Sequence, residues 1–302
     1  MNPQALVTSR LSVGFGLAIA RNIPTAVSYP LGSFLAQRLT QRQGLALVEV
    51  VKQNQLIVHG GKLTPEELHQ RVKDVFTYAG RCFIDFYRNY KNLEKLQDKV
   101  LINDDLERLV RLSQDPTFGA FLVVPHLSSF DLMLLAAAAK GFRAKVLTIG
   151  NPTGGYKLQN DIRATSGLEI MPVSRRAHVR AIDTLRNGGF VLSGIDRPIP
   201  EQKRTLNFFG LPSPLPDGHV RMALKAGVPI MVAAVHMNSD GLYQLSLSEP
   251  IPMVRMTEPR REIRSNAENI LQIIESHILA HPTQWQMFYP VWPEAKKTQG
   301  AY

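Results

Sequence analysis

His126 and Asp131 form the sharpest local feature of this 302-residue chain, in the run Pro125-His-Leu-Ser-Ser-Phe-Asp131. The apolar stretch Phe118 to Val124 before it reads as a buried strand, and Leu132 to Lys140 after it reads as a helix. Ligands of α/β sheets bind at the carboxyl ends of strands. Ser128 or Ser129 can cap the helix, which puts Asp131 in its first turns. The spacing lets the Asp131 carboxylate fold back and accept a hydrogen bond from one imidazole nitrogen of His126. The other nitrogen then faces a pocket as a base, able to take a proton from a hydroxyl. Asp131 would fix the tautomer and stabilise the imidazolium. The same spacing also suits a helix-capping histidine beside a surface aspartate, and spacing alone does not separate the two.

Other chemistries fit the residues less well. Ser128 and Ser129 lack the Gly-x-Ser-x-Gly elbow of a serine hydrolase. The remaining histidines (His59, His69, His178, His219, His236, His277, His281) show no paired ligand spacing, so no metal is expected. Cys82 is the single cysteine, which excludes a disulfide within the chain and a cysteine metal site. It is expected as a structural thiol on an amphipathic helix, in keeping with a reducing compartment. Gly150-Asn-Pro-Thr-Gly-Gly155 is expected as a turn rather than a nucleotide phosphate loop.

Cationic residues gather later in the chain. Arg163 precedes Gly167. Arg175, Arg176, Arg180, Arg197, Lys203 and Arg204 follow, around the strand end Ser193-Gly-Ile-Asp196. Arginines in a cleft suit phosphate oxygens, and each of these taken singly also reads as solvated surface. Asn207-Phe-Phe209-Gly210-Leu-Pro reads as an apolar turn able to line a pocket. Arg197, Ser129, Phe209, Gly210, Arg175 and Arg176 are the further candidate substrate-binding residues around His126 and Asp131.

Positioning these residues requires a sheet. Residues 5–58 read as helices, with Pro24 and Pro30 marking kinks or breaks. Thr64-Pro-Glu-Glu is a cap, a first-turn proline and first-turn acids, opening a long helix through Tyr87. On that helix Val72, Val75, Phe76, Ala79, Phe83 and Phe86 recur at helical spacing, as core or as a lipid-facing groove. From about residue 100, short apolar runs alternate with helical stretches. Strands are expected at 144–149, 168–173, 190–193, 229–235 and 243–247. Helices are expected at 177–187, 220–226 and 262–280. This is the grammar of an α/β fold, a central mainly parallel sheet flanked by helices.

The formal charge of +10 suits an anionic partner. Residues 1–62 hold six basic residues (Arg10, Arg21, Arg38, Arg42, Lys52, Lys62) against one acid, Glu49, and are rich in apolar residues. Apolar and basic together point to an anionic membrane surface before nucleic acid. The chain lacks the usual nucleic-acid-binding modules, so no nucleic-acid partner is expected. The best apolar stretch, Leu11 to Leu39, is interrupted by Arg21, Asn22, Pro24 and Pro30, which favours lying on a membrane over spanning it. The expected division is an N-terminal membrane-associating helical segment, 1–62, and an α/β domain, 63–302. The residues alone leave a non-catalytic anionic-lipid-binding protein open.

Taken together, the blocks resemble the lysophospholipid acyltransferase superfamily, and within it the lipid A late-acyltransferase branch that includes phosphatidylinositol mannoside acyltransferases. The resemblance spans roughly residues 10–295. It rests on the helix, turn and aromatic-rich helix of 48–87, on His126 to Asp131, and on Arg163 with Gly167. Further blocks are Gly188-Gly189 leading to Asp196, Phe208-Phe209-Gly210 leading to Ala226-Gly-Val-Pro-Ile230, and His281-Pro-Thr-Gln-Trp-Gln-Met-Phe-Tyr-Pro-Val-Trp292. The resemblance implies a fatty acyl transfer from an acyl carrier protein or coenzyme A thioester to a hydroxyl of a membrane glycolipid or phospholipid. It implies His126 as base, Asp131 as its partner, Arg163 and Asp196 at the site, and no cofactor beyond the thioester. It places the protein on the cytoplasmic face of a bacterial inner membrane. Asp131 stands where many lipid A enzymes have Glu, and Ser-Gly-Ile-Asp196-Arg lacks the proline and histidine some of them carry. The acceptor therefore need not be lipid A, and with water as acceptor the same site would be a thioesterase.

Overall fold

The computed structural model describes residues 23–294, apart from 43 and 153. The first part of the Leu11–Leu39 stretch, with Arg10 and Arg21, lies outside the described residues.

Helices α1 (Thr25–Thr40), α2 (Ala46–Val58) and α3 (Pro65–Asn89) come first. Pro24 caps α1, but the helix runs on through Pro30 instead of breaking there. Thr64 and Glu67 close a reciprocal capping box at the start of α3, with Pro65 in the first turn. Apolar faces of the three helices meet in a small core of their own, with Val48, Val51, Val72 and Val75 at its centre. Short α4 (Leu93–Gln97) and α5 (Asp104–Gln114) lead into the sheet.

The sheet region runs β1 (Ala120–Val124), α6 (Phe130–Ala139), β2 (Lys145–Thr148), α7 (Gly154–Ala164), β3 (Glu169–Pro172), α8 (Arg175–Arg186) and β4 (Phe190–Gly194). There follow the hairpin β5 (Leu206–Phe208) and β6 (Leu211–Ser213), then α9 (Gly218–Ala226), β7 (Ile230–Met237), β8 (Tyr243–Leu247) and α10 (Pro259–Ala280). A 3₁₀ turn, Pro282–Gln284, opens the closing segment. The six-stranded order is β3-β2-β4-β1-β7-β8, parallel throughout except for β8, which pairs antiparallel to β7. The expected α/β class is thus observed. Two expectations change: Asn207 to Pro212 is a hairpin rather than a turn, and the glycine-rich turn ends by starting α7 at Gly154.

Central strand β1 is buried along its whole length, as expected for a strand covered on both faces. Its side chains alternate between two cores. Leu122 and Val124 face α6, while Phe121 and Val123 face the side of α8, α9 and α10. Helix α6 is apolar on nearly every side because it lies between the sheet and other helices. Among the described residues, no helix is long and apolar enough to cross a membrane.

One backbone approach is tight. Gly188, after α8, has φ +74°, and a Cβ there would stand 1.8 Å from the Pro116 carbonyl oxygen. Gly188→Ala is expected to cost about 2–4 kcal/mol, from the left-handed backbone and the forced displacement of Pro116 together. Chemical denaturation checks this, and a loss under about 0.5 kcal/mol would contradict the packing described.

Candidate active site

The strand register alone brings His126 to Asp196. Strands β1 and β4 are neighbours, and Val124 pairs with Gly194 at their ends. Two residues further along each chain stand His126 and Asp196. The His126 amide donates to Asp196 Oδ2 at 2.8 Å, and Nδ1 lies 2.6 Å from Oδ1. A carboxylate only accepts, so Nδ1 carries the proton, and it is Nε2 that bears the lone pair whenever the ring is neutral. Gly194 makes the approach possible, since a Cβ there would stand 2.9 Å from His126 Cε1.

Asp196 is fully buried, whereas the His126 side chain keeps 29% of its surface exposed. Burial alone would push the Asp196 carboxyl up. The positive form of His126 and the hydrogen bonds from its ring, from Trp285 and from the His126 amide outweigh burial, and hold the carboxyl below the ordinary range. The Trp285 bond, Nε1 to Oδ2, is 2.8 Å long.

The closing segment also fixes the loop that carries His126. The Ser128 amide donates to the Gln284 carbonyl, and the Gln286 amide to the His126 carbonyl, each at 2.8 Å. Gln284 in turn exchanges two bonds with the backbone of Met237 on β7. Ser128 adopts a left-handed φ of 51°. Neither serine caps α6 as expected: Ser129 holds the cap position, but its side chain makes no capping bond.

Asp131 does not partner His126. Its Oδ1 accepts from Arg163 Nε at 2.6 Å, and Arg163 Nη1 donates to Asn160 Oδ1 at 2.9 Å. The helical start at Phe130 aims Asp131 across at α7 rather than back along the loop. Phe130 lies between the two pairs, edge-on to the His126 ring at 5.5 Å and under the Arg163 guanidinium at 5.9 Å.

Two cavities meet at His126. One, of about 150 Å³, lies between α3 and the closing segment, and Cys82, Phe83, Phe86, Tyr87, Ser129 and Phe288 are among its walls. The other, of about 480 Å³, lies over the ends of β2 and β4, with Leu147, Ile149, Val173, Leu192 and Ile199 among its walls. Phe130, Tyr156, Arg163 and Arg197 border both. The aromatic stripe of α3 therefore serves core and cavity together. Burial pushes the Cys82 thiol up to about 11, which keeps it a neutral wall rather than a nucleophile.

Four candidates stand apart from these cavities. Arg175 and Arg176 are exposed at the start of α8. Phe209 packs on Trp285 and Trp292, while its amide donates to Glu275 at 2.6 Å. Gly210 follows at the tip of the β5–β6 hairpin. Tyr156, Tyr289 and Asn160 border or support the site without any signal in spacing that would have singled them out.

The model of the bacterial lipid A biosynthesis acyltransferase family matches residues 3–294. The chain belongs to this family, and it is an O-acyltransferase acting on a lipid-like acceptor. Its relatives include phosphatidylinositol mannoside acyltransferases of Mycobacterium tuberculosis, from strains CDC 1551 / Oshkosh and ATCC 25618 / H37Rv. Each is 23% identical over 223 residues, which is 70% of this chain and 67% of the relative.

The depressed Asp196 carboxyl carries a pH signature. A folded-state pKa below the unfolded one, about 3.9 for Asp, contributes stability above the unfolded value and loses it as pH falls through the folded value. Asp196→Asn is expected to lower the denaturation midpoint near about pH 7, with the gap to the unmutated protein closing below about pH 4. A gap of constant size down to about pH 3 would contradict the buried, charge-assisted pair.

Proposed function

We propose that the protein moves a fatty acyl group from an acyl carrier protein or coenzyme A thioester to a hydroxyl of a membrane glycolipid or phospholipid, with His126 as general base held by Asp196. The observation that carries this is the Asp196–His126 pair, which leaves Nε2 as the proton acceptor on a ring bordering two cavities. The acceptor hydroxyl gives its proton to Nε2 as its oxygen attacks the thioester carbonyl carbon. Collapse of the adduct breaks the C–S bond, and the imidazolium returns the proton to the departing thiolate. Asp196 stabilises the imidazolium in between. No covalent enzyme intermediate is needed. Asp131 is assigned a positioning role, holding Arg163 at the cavity wall.

The larger, apolar-walled cavity suits the acyl chain, and the cavity against α3 suits the acceptor. Helix α1 leaves Val27, Phe34 and Leu35 half exposed beside Arg38, a surface that suits anionic lipid. We assign the protein to the cytoplasmic face of a bacterial inner membrane, lying on it through this segment. Exposed Arg175 and Arg176 suit the phosphates of coenzyme A or the acids of a carrier protein.

The test is mass spectrometry of a membrane lipid extract incubated with the protein and labelled acyl-coenzyme A or acyl carrier protein. One acceptor lipid gaining one acyl chain is expected. His126→Ala should lower the rate by about 10²–10⁴-fold with the melting temperature preserved. Release of free fatty acid alone would make the protein a thioesterase, and an active His126→Ala protein would remove His126 from the mechanism.

A further inference from the structure

Two arginines border both cavities at His126, and the structure commits only one of them. Arg163 is tied to Asp131 and Asn160. Arg197 has no carboxylate within ion-pair distance and no side-chain hydrogen bond among the described residues. Its guanidinium carbon instead stands 3.8 Å from the ring centre of Tyr289 and 5.1 Å from that of Tyr156. Contact with a ring face engages the face of the guanidinium, and its N–H groups stay available at the edge.

The two rings are themselves fastened. Their hydroxyls hydrogen-bond at 2.6 Å, joining α7 to the closing segment. The Tyr289 carbonyl accepts from Asn54 of α2 at 2.9 Å. Arg197 is also the next residue after Asp196, so the same strand end that places the base places the cation. An unpaired cation fixed in advance beside a base is the arrangement that stabilises negative charge developing during a reaction. The pantetheine arm of either donor keeps its nearest phosphate far from the thioester. The donor group within reach of this depth is therefore the carbonyl.

We propose that Arg197 is a further catalytic residue, receiving the oxyanion formed when the acceptor hydroxyl adds to the thioester carbonyl, with the Tyr156–Tyr289 clasp positioning it. The proposal rests on the acyl-transfer reading above. As the new C–O bond forms, the carbonyl π pair moves onto oxygen beside Arg197. It returns when the C–S bond breaks, so Arg197 gains and loses no proton. The same cation could hold a ground-state phosphate of the acceptor, and kinetics distinguish the two.

Steady-state transfer from palmitoyl-coenzyme A to a total polar lipid extract tests the assignment. Arg197→Met is expected to lower kcat by about 10²–10³-fold with apparent KM for donor and lipid nearly unchanged. Arg197→Lys should recover part of that loss. Tyr289→Phe, which keeps the ring but opens the clasp, should give a smaller kcat loss. Melting temperatures accompany each variant. If Arg197→Met unfolds, Arg197→Lys decides, with kcat below the unmutated value expected. An unchanged kcat overturns the proposal, and so does a rise in KM alone, which would make Arg197 a phosphate anchor. No transfer by the unmutated protein from either palmitoyl-coenzyme A or palmitoyl-acyl carrier protein would overturn the acyl-transfer reading itself, a result separable from the other two.

Discussion

A carboxylate removed from water is costly unless its lone pairs are answered, and Asp196 is completely buried. It accepts from the His126 amide, the His126 ring and the Trp285 indole. Much of the structure arranges these three donors. Parallel pairing of β1 with β4 brings the two loops side by side, and Gly194 leaves room for the imidazole. The closing segment delivers Trp285 and pins the His126 loop through Gln284 and Gln286. Polar residues of α2 hold that segment in turn, with Asn54 donating to the carbonyls of Met287 and Tyr289. The N-terminal helices thus reach the site through hydrogen bonds at one remove.

The two aspartates near His126 do different work because their surroundings differ. Asp196 faces a ring that can be neutral or charged, and answers a proton arriving there. Asp131 faces the guanidinium of Arg163, and the pair is held further by Asn160. An ion pair of that kind fixes geometry but offers no proton traffic. Satisfying Arg163 in this way leaves Arg197, held by aromatic faces, as the cavity cation with its hydrogen-bonding edge free.

Local pattern made much of the fold legible. The capping box at Thr64, the strand before His126, the helix after Ser174 and the alternation of short apolar runs all follow from neighbours in the chain, whereas helix α7 does not, because its glycine-rich start carries the signal of a turn. His126 was legible because a strand-to-helix junction with such residues is a local feature. Its true partner was not. Asp196 lies 70 residues away, and only the β1–β4 register brings it to the imidazole; Asp131 was nearer in sequence and chemically equivalent. The apolar phenylalanines of the hairpin around Phe209 and Gly210 suit a pocket wall by composition alone. They bury themselves against Trp285 and Trp292 instead. Tyr156 and Tyr289 sit 133 residues apart, and nothing in their own segments marks them as a pair.

The account depends on Asp196, rather than Asp131, being the group that holds the base. Single-turnover acyl transfer by Asp196→Asn and Asp131→Asn, measured side by side on folded protein, addresses that choice directly. Asp196→Asn is expected to lose roughly 10³–10⁴-fold in the chemical step, because the amide can no longer fix the tautomer or stabilise the imidazolium. Asp131→Asn should lose much less. The reverse order, with Asp196→Asn active and Asp131→Asn silent, would contradict the assignment of the pair.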